Sequence, residues 1–293
     1  MTERNPRAGT IEGWKYVFLE MDEHFKGQSA ASISPAEARQ WIKGMISPER
    51  KAGTVSNTWL NASHTVFEWA AEHGYIPNNP FADVKVTVPK RIRLRETQAF
   101  YPEEQRLILN AARDVVDLST PDAAARRWVP WICAYSGARV GEITQMRGSD
   151  IIKRDGTHAL RITPDAGTVK TGNARVVPLH GHLIEQGFLD FAAGRSEAPL
   201  FYTPRESKKP PYAQARQRLA AWVRSLGISD KEVQPNHAWR HTFKQIADHA
   251  GITERTSNYI TGHAQRDTGA KYGAPTLAQM ADAMKKFPRY DLG

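Results

Sequence analysis

Apolar positions recur at helical spacing through most of the chain and alternate with a two-residue period in only one short stretch. In the first part, Gly9 to Phe25 and Pro35 to Ile46 carry apolar residues three and four apart. Ser34 stands where a helix N-cap belongs, with Pro35 at the first helical position. A longer helix is predicted from about Val55 to His73, with Trp59, Ala62, Val66, Trp69 and Ala70 as its inward stripe and Gly74 as its end. Pro77 and Pro80 then break regular structure. A new helix-start signal, Tyr101-Pro102-Glu103-Glu104, opens a second helix-rich region, in which helices resume near Leu183, Ala213, His237 and Arg255. Thr276 to Phe287 is a short amphipathic helix with Leu277, Met280, Ala281 and Met284 on one stripe. The alternating stretch covers Thr157 to Thr163 and Ala174 to Leu179, with Gly167, Gly172 and Asn173 between them, and predicts a β-hairpin or small antiparallel sheet. The expected fold is a mainly α N-terminal domain (1–87), a linker (88–100), and an α+β, mostly helical domain with a small antiparallel sheet (101–293).

Composition narrows the class. A chain of 293 residues is a natural size for two domains, and 40% hydrophobic with 24% charged residues excludes wholesale disorder and low-complexity architectures. Cys133 is the only cysteine, which excludes a disulfide framework and fits a reducing, cytoplasmic location. The longest apolar run, Trp128 to Tyr135, is too short to span a bilayer, and Met1 to Thr10 lacks a signal-peptide apolar stretch, so no membrane association is expected.

Charge changes the picture more. The formal net charge is +9, and it is unevenly spread: residues 1–87 hold 9 basic and 10 acidic side chains, whereas 88–293 hold 31 basic and 21 acidic. A surplus of this kind suits a polyanionic partner, usually nucleic acid. Lys90, Arg91, Arg93 and Arg95 crowd into one short segment without helical periodicity, as an extended strap along phosphates or as a solvated loop. In the near-neutral first domain, Arg39, Lys43, Arg50 and Lys51 are the first candidates for DNA contact, provided they gather on one face.

Several common sites are missing. The chain has no G-x-x-x-x-G-K-[ST] loop and no G-x-S-x-G elbow. His237 and His241 lie four apart, but Arg240 beside them opposes a bound cation and the intervening residues lack a glutamate; no metal and no cofactor are expected. What stands out is an ordered set of cationic and imidazole groups. Ser136-Gly137-Ala138-Arg139-Val140-Gly141-Glu142 follows an apolar segment. Lys170 lies at a hairpin turn, with Arg175 on the return strand. Pro235-Asn236-His237-Ala238-Trp239-Arg240-His241 opens a helix, with Asn236 as a plausible cap and His237 and Arg240 on one face. Thr261-Gly262-His263 comes next, and Tyr272 nine residues later. Each has a plain alternative by itself: Arg139 paired with Glu142, Lys170 and Arg175 decorating a hairpin, His237 as a cap, His263 in a loop, Tyr272 in packing.

Taken together, in this order and at these spacings, the set resembles the tyrosine recombinases, the phage-integrase type of site-specific DNA recombinase, over roughly residues 100–293. Thr54 to Pro80 is similar, less specifically, to that family's helical core-binding domain. The resemblance implies that Arg139 and Arg240 clamp the non-bridging oxygens of the scissile phosphate and that His237 adds a hydrogen bond. It further implies that Lys170 protonates the departing 5′ oxygen, that His263 assists the tyrosine proton or supports the transition state, and that Tyr272 is the nucleophile. One strand would be cleaved to a 3′-phosphotyrosine and rejoined to a partner strand without metal or ATP, by two domains clamping duplex DNA within a synaptic tetramer. The residue types suit this chemistry. A free tyrosine with a pKa of about 10 is only about one part in a thousand phenolate at pH 7, and nearby cations lower that cost. Arginine's planar fork matches phosphate oxygens. Three positions depart from the family pattern: Ser136 for threonine, Trp239 for leucine, and Thr261 for the leucine before Gly-His. The resemblance also implies that the 276–287 helix docks onto a neighbouring protomer, with packing onto its own domain as the alternative. No arm-site-binding domain fits ahead of residue 1, so either the protein is of the simpler type or the chain is a piece of a longer one. The rival readings are a topoisomerase resealing the same strand, an inactive DNA-binding regulator of the same fold, and an unrelated basic helical RNA-binding protein.

Overall fold

The computed structural model describes residues 8–90, 92–167, 173–207, 210–263 and 273–293. Arg91, Lys170 and Tyr272 lie outside the described residues. The chain divides into two compact units, Met1–Ile92 and Arg93–Gly293.

The first unit is helical. It contains α1 (Ala8–His24), α2 (Pro35–Gly44), α3 (Ala52–Thr54), a π-helical turn Val55–Leu60, and α4 (Asn61–Glu72). At the start of α2, Ser34 and Glu37 form a reciprocal capping box: the Ser34 amide donates to the Glu37 carboxylate at 2.8 Å and the Glu37 amide to Ser34 Oγ at 3.3 Å. Gly74, with φ of +73°, ends the α4 helix as predicted. The predicted inward stripe needs correction. Ala62 and Phe67 are buried, while Trp69 is 49% exposed and stacks on Tyr75. Ala62, Trp59 and Ala70 meet the core as expected, but behind the π turn Phe67, not Val66, is buried in it with Trp41, Phe81 and Val17.

The second unit is built around α6 (Pro121–Ser136), which follows α5 (Pro102–Arg113). Thr120 caps α6, accepting from the Ala123 amide at 3.2 Å, and Pro121 takes the first helical position. Every residue from Arg127 to Ala138 is buried. A helix that is apolar all round belongs inside a domain, and this is where the Trp128–Tyr135 run goes. No described helix is long and apolar enough to cross a membrane. The short helix α7 (Val140–Thr144) leads to a three-stranded antiparallel sheet of β1 (Ile151–Arg154), β2 (Thr157–Ile162) and β3 (Arg175–Pro178), in that order. The alternating pattern predicts β2 and β3 but not β1. Its signal is Asp155-Gly156, both at positive φ (49° and 75°), the two-residue turn that suits a hairpin's twist.

Helices α8 (Gly181–Glu185), α9 (Phe188–Ala193), α10 (Pro211–Ser225), α11 (Pro235–His249), α12 (Glu254–Thr261) and α13 (Leu277–Met284) complete the unit. Two expectations change here. Helix α11 begins at Pro235 with Gln234 in the cap position, so Asn236 is its second residue and caps nothing; its amide reaches the Arg216 carbonyl at 3.4 Å. The 276–287 helix packs in cis. Met280, Met284 and Phe287 are buried in the unit's own core, Phe287 stacks on Phe243 with centroids 5.0 Å apart, and the Tyr290 hydroxyl donates to the Ala134 carbonyl at 2.9 Å. Its apolar stripe is therefore consumed within the chain rather than offered to a neighbour.

Candidate active site

Two glycines bring the ends of α6 and α12 together. At Gly137 the chain leaves α6 at φ +57°, and a Cβ there would lie 2.7 Å from Thr261 Cγ2 and 2.8 Å from Phe243 Cδ1. Gly262 ends α12 at φ +67°, and a Cβ there would lie 2.6 Å from Arg175 Cζ. Only glycine tolerates both the dihedral and the space. The backbone carbonyls thus exposed, Gly137 O and Thr261 O, become acceptors for the site's arginines.

Arg139 stands at the start of α7 and is joined to Glu142 twice: its amide donates to Oε2 at 3.1 Å and its Nη1 to Oε1 at 2.9 Å. The surface-pair alternative is thus partly right, but Glu142 is no surface residue. Its side chain is 2% exposed and also accepts from Arg175 Nη2 at 2.6 Å. Burial pushes the Glu142 carboxyl up, but the bonds and charges of Arg175 and Arg139 outweigh it and hold the group below the usual carboxylate range. Arg175, on β3, further donates to the Ile260 and Thr261 carbonyls at 3.3 Å. The sequence puts this arginine on the return strand but not in the site, because nothing in a short strand says which way its first residue faces.

Arg240, on α11, is 7% exposed. Its Nη1 donates to Gly137 O at 2.9 Å and Thr261 O at 2.5 Å, and its Nε to His263 Nε2 at 3.2 Å. Its Nη2 is buried without an acceptor, and no carboxylate pairs with Arg240 among the described residues. Burial, reinforced by Arg139, pushes it down to about 9, so it stays cationic at neutral pH. His263 also contacts Thr261 Oγ1 through Nδ1 at 2.9 Å. Burial, then Arg240 and Lys244, push this imidazole down to about 4, so it is neutral at pH 7. His237 lies at the exposed start of α11; partial desolvation, His241, Arg139 and Arg240 all lower its pKa. Lys244, one turn beyond Arg240, is tied to Ser257 Oγ at 2.8 Å and Asn258 Oδ1 at 2.7 Å; the sequence carried no signal for it. Arg139, His237, Arg240 and His263 are thus gathered, and two guanidinium groups, Arg139 and Arg175, share the Glu142 carboxylate beside the unpaired Arg240.

Burial lowers the pKa of His180, His182 and His241 as well. Each group binds a proton more readily in the unfolded chain, near its ordinary value of about 6.5. Stability is therefore full above that pH and is lost as the pH falls toward the lowered folded-state values. The melting temperature is expected to drop steadily between about pH 6.5 and 4; a flat profile there would contradict these environments.

The other predicted contacts separate. Arg95 is internal: its side chain is 5% exposed, ion-paired with Glu104 at 2.5 Å and Asp230 at 3.1 Å, and lies over the Tyr101 ring. It pins the start of α5 and does not belong to a solvent-facing strap. Lys90 and Arg93 are exposed. In the first unit, Arg39 and Lys43 are exposed four residues apart on α2, and Lys51 is exposed. Arg50 instead turns inward, paired with Glu20 at 2.8 Å and stacked over Trp59, so the four cations do not form one free cluster.

Comparisons with known proteins bear on the family and the fold. Residues 98–277 match the phage integrase family. Among solved structures, the fold is similar to a lambda integrase dimer bound to a COC′ core site (20% identity, TM-score 0.66, covering 89% of this chain and 90% of that one). It is also similar to the Tn1549 transposon integrase with circular-intermediate DNA (18%, 0.63, 97% and 95%). A third is a lambda integrase tetramer bound to a Holliday junction (17%, 0.65, 90% and 74%). No curated relative matches in sequence. The match spans more than half of the chain and includes the segments that carry Arg139, Arg240 and His263: the chain belongs to the phage integrase family, the tyrosine recombinases.

Proposed function

We propose that this chain cuts and rejoins duplex DNA at a specific site through Tyr272, with protein cations alone supplying the charge at phosphorus. The observation that carries this reading is Arg240. A guanidinium that is 7% exposed, with its Nη2 unsatisfied and no carboxylate of its own among the described residues, is costly to hold unless an anion completes it. A phosphodiester brings one negative charge and two non-bridging oxygens, matching the forks of Arg240 and Arg139.

The Tyr272 oxygen attacks phosphorus and the bond to the 5′ oxygen breaks. Lys170 protonates that leaving oxygen, leaving a 3′-phosphotyrosine and a free 5′ hydroxyl. The 5′ hydroxyl of a partner strand reverses the step, so the phosphoester bond energy is conserved. Arg139, Arg240 and His237 stabilise charge growing on the phosphate oxygens, and Glu142 with Arg175 holds Arg139 in place. Residues 1–87 form the second DNA-binding domain, with Arg39, Lys43 and Lys51, and beyond them Lys90 and Arg93, on the phosphate backbone; such contacts give affinity without sequence information. Exchange between duplexes takes place in a tetramer, by analogy with the lambda assembly on a Holliday junction. Because the 276–287 helix is packed in cis, the free protein does not present it as a ready docking face.

The test is a pool of nicked duplex fragments from the genome that encodes the protein, incubated in EDTA without nucleotide triphosphates. A covalent protein–DNA adduct on a denaturing gel is expected. An adduct that forms only with added divalent metal would overturn the reading.

A further inference from the structure

Thr261 stands where the family pattern carries leucine, and its hydroxyl does something a leucine cannot. Arg240 Nε can only donate, so at 3.2 Å His263 Nε2 must present its lone pair. A neutral imidazole then carries its proton on Nδ1, and that N–H donates to Thr261 Oγ1 at 2.9 Å. The Thr261 hydroxyl in turn donates to the Ser257 carbonyl at 2.7 Å. The three bonds form one chain of fixed polarity, and reversing any of them leaves two donors or two acceptors face to face. Thr261 is 0% exposed, so no solvent competes for its hydroxyl.

From this geometry we infer that Thr261 is a positioning residue that locks His263, in the DNA-free protein, as the Nδ1–H tautomer and so makes Nε2 an acceptor that orients Arg240. The inference rests on the recombinase reading for its catalytic meaning, but the tautomer itself does not. The charges around the ring favour the same state. Arg240, Lys244, Arg139 and His241 all disfavour a protonated His263, and a second N–H on Nε2 would face the Arg240 Nε–H directly. Before DNA binds, Nε2 keeps the Arg240 fork in one orientation, with Nη1 anchored on Gly137 O and Thr261 O and Nη2 left for substrate.

The test uses the full chain labelled with [15N]histidine, long-range 1H–15N correlation spectra at pH 7, and assignment of His263 by the signal lost in His263→Gln. The expected result is a protonated Nδ1 and an unprotonated Nε2. Thr261→Val, close in shape but without the hydroxyl, is expected to shift His263 toward the other tautomer, and Thr261→Ser to restore it. A wild-type His263 protonated on Nε2 overturns the proposal without any variant, and so does an unchanged tautomer in folded Thr261→Val. In the adduct assay, Thr261→Val should cleave about tenfold more slowly, the equivalent of one hydrogen bond, with DNA affinity unchanged. Because the spectra need no DNA, absence of any adduct from wild-type protein would sink the recombinase reading and leave the tautomer result standing.

Discussion

Replacing Arg240 by alanine is expected to slow strand cleavage about a thousandfold while leaving the protein folded, the size of effect seen when a preorganised donor to developing charge is removed. The side chain holds two backbone carbonyls and His263, yet its Nη2 is unsatisfied and its charge is desolvated beside Arg139. Losing it forfeits those bonds but removes a buried, uncompensated cation, so the denaturation midpoint should move little. This combination of intact fold and lost chemistry marks a group held in place for a ligand. Arg240→Lys should recover only a small part of the rate, because an ammonium cannot span two oxygens while holding Gly137 O and Thr261 O. Affinity for DNA should fall modestly, since one phosphate contact among several is removed. Single-turnover cleavage of nicked duplex, with urea denaturation in parallel, checks both parts; near-normal cleavage by Arg240→Ala would remove this residue from the phosphate site.

Glu142→Gln is expected to have the opposite profile, destabilising the second unit by about 3 kcal/mol, as when one partner of a buried ion pair is deleted. Glu142 is, among the described residues, the single carboxylate between Arg139 and Arg175, at 2.9 and 2.6 Å, and its side chain is 2% exposed. Glutamine keeps the shape but removes the charge, which leaves two guanidinium groups repelling each other and Arg240. The double variant Glu142→Gln/Arg175→Met should recover part of the loss, because it removes an uncompensated cation with the anion. Urea denaturation measures this directly; a shift within error for Glu142→Gln would show that Arg139 and Arg175 do not depend on it.

The gathering of Arg139, His237, Arg240 and His263 was legible from the sequence because residue types recur at fixed spacing, His237 and Arg240 on one helical face and glycines beside Arg139 and His263; Lys170 and Tyr272 lie outside the described residues. What the sequence hid follows from tertiary packing. The charge of Arg95 was plain, but its burial depends on Asp230, 135 residues away, as well as on Glu104 nearby. Arg50 turns to Glu20 for the same reason. In the first-unit helix two positions of the expected stripe fail, Trp69 facing out and Phe67 replacing Val66 in the core, behind a π turn that leaves no compositional mark. Strand β1 was overlooked although Asp155-Gly156 announces its turn. The amphipathic stripe of the 276–287 helix was real, but amphipathicity states that a face is buried and not against what; here it meets its own core. Thr261 looked like a lost apolar contact, and the structure shows its hydroxyl placed on His263 instead.

The central claim, that this cluster of cations serves a phosphodiester attacked by Tyr272, is tested most directly by identifying the residue that carries DNA. The covalent adduct formed in EDTA on nicked duplex is digested with nuclease and protease, and the nucleotide-bearing peptide is sequenced by mass spectrometry. The account predicts a single modified residue, Tyr272, and no adduct from a Tyr272→Phe protein that still binds the duplex. A nucleotide on any other residue, or an undiminished adduct in Tyr272→Phe, would contradict it.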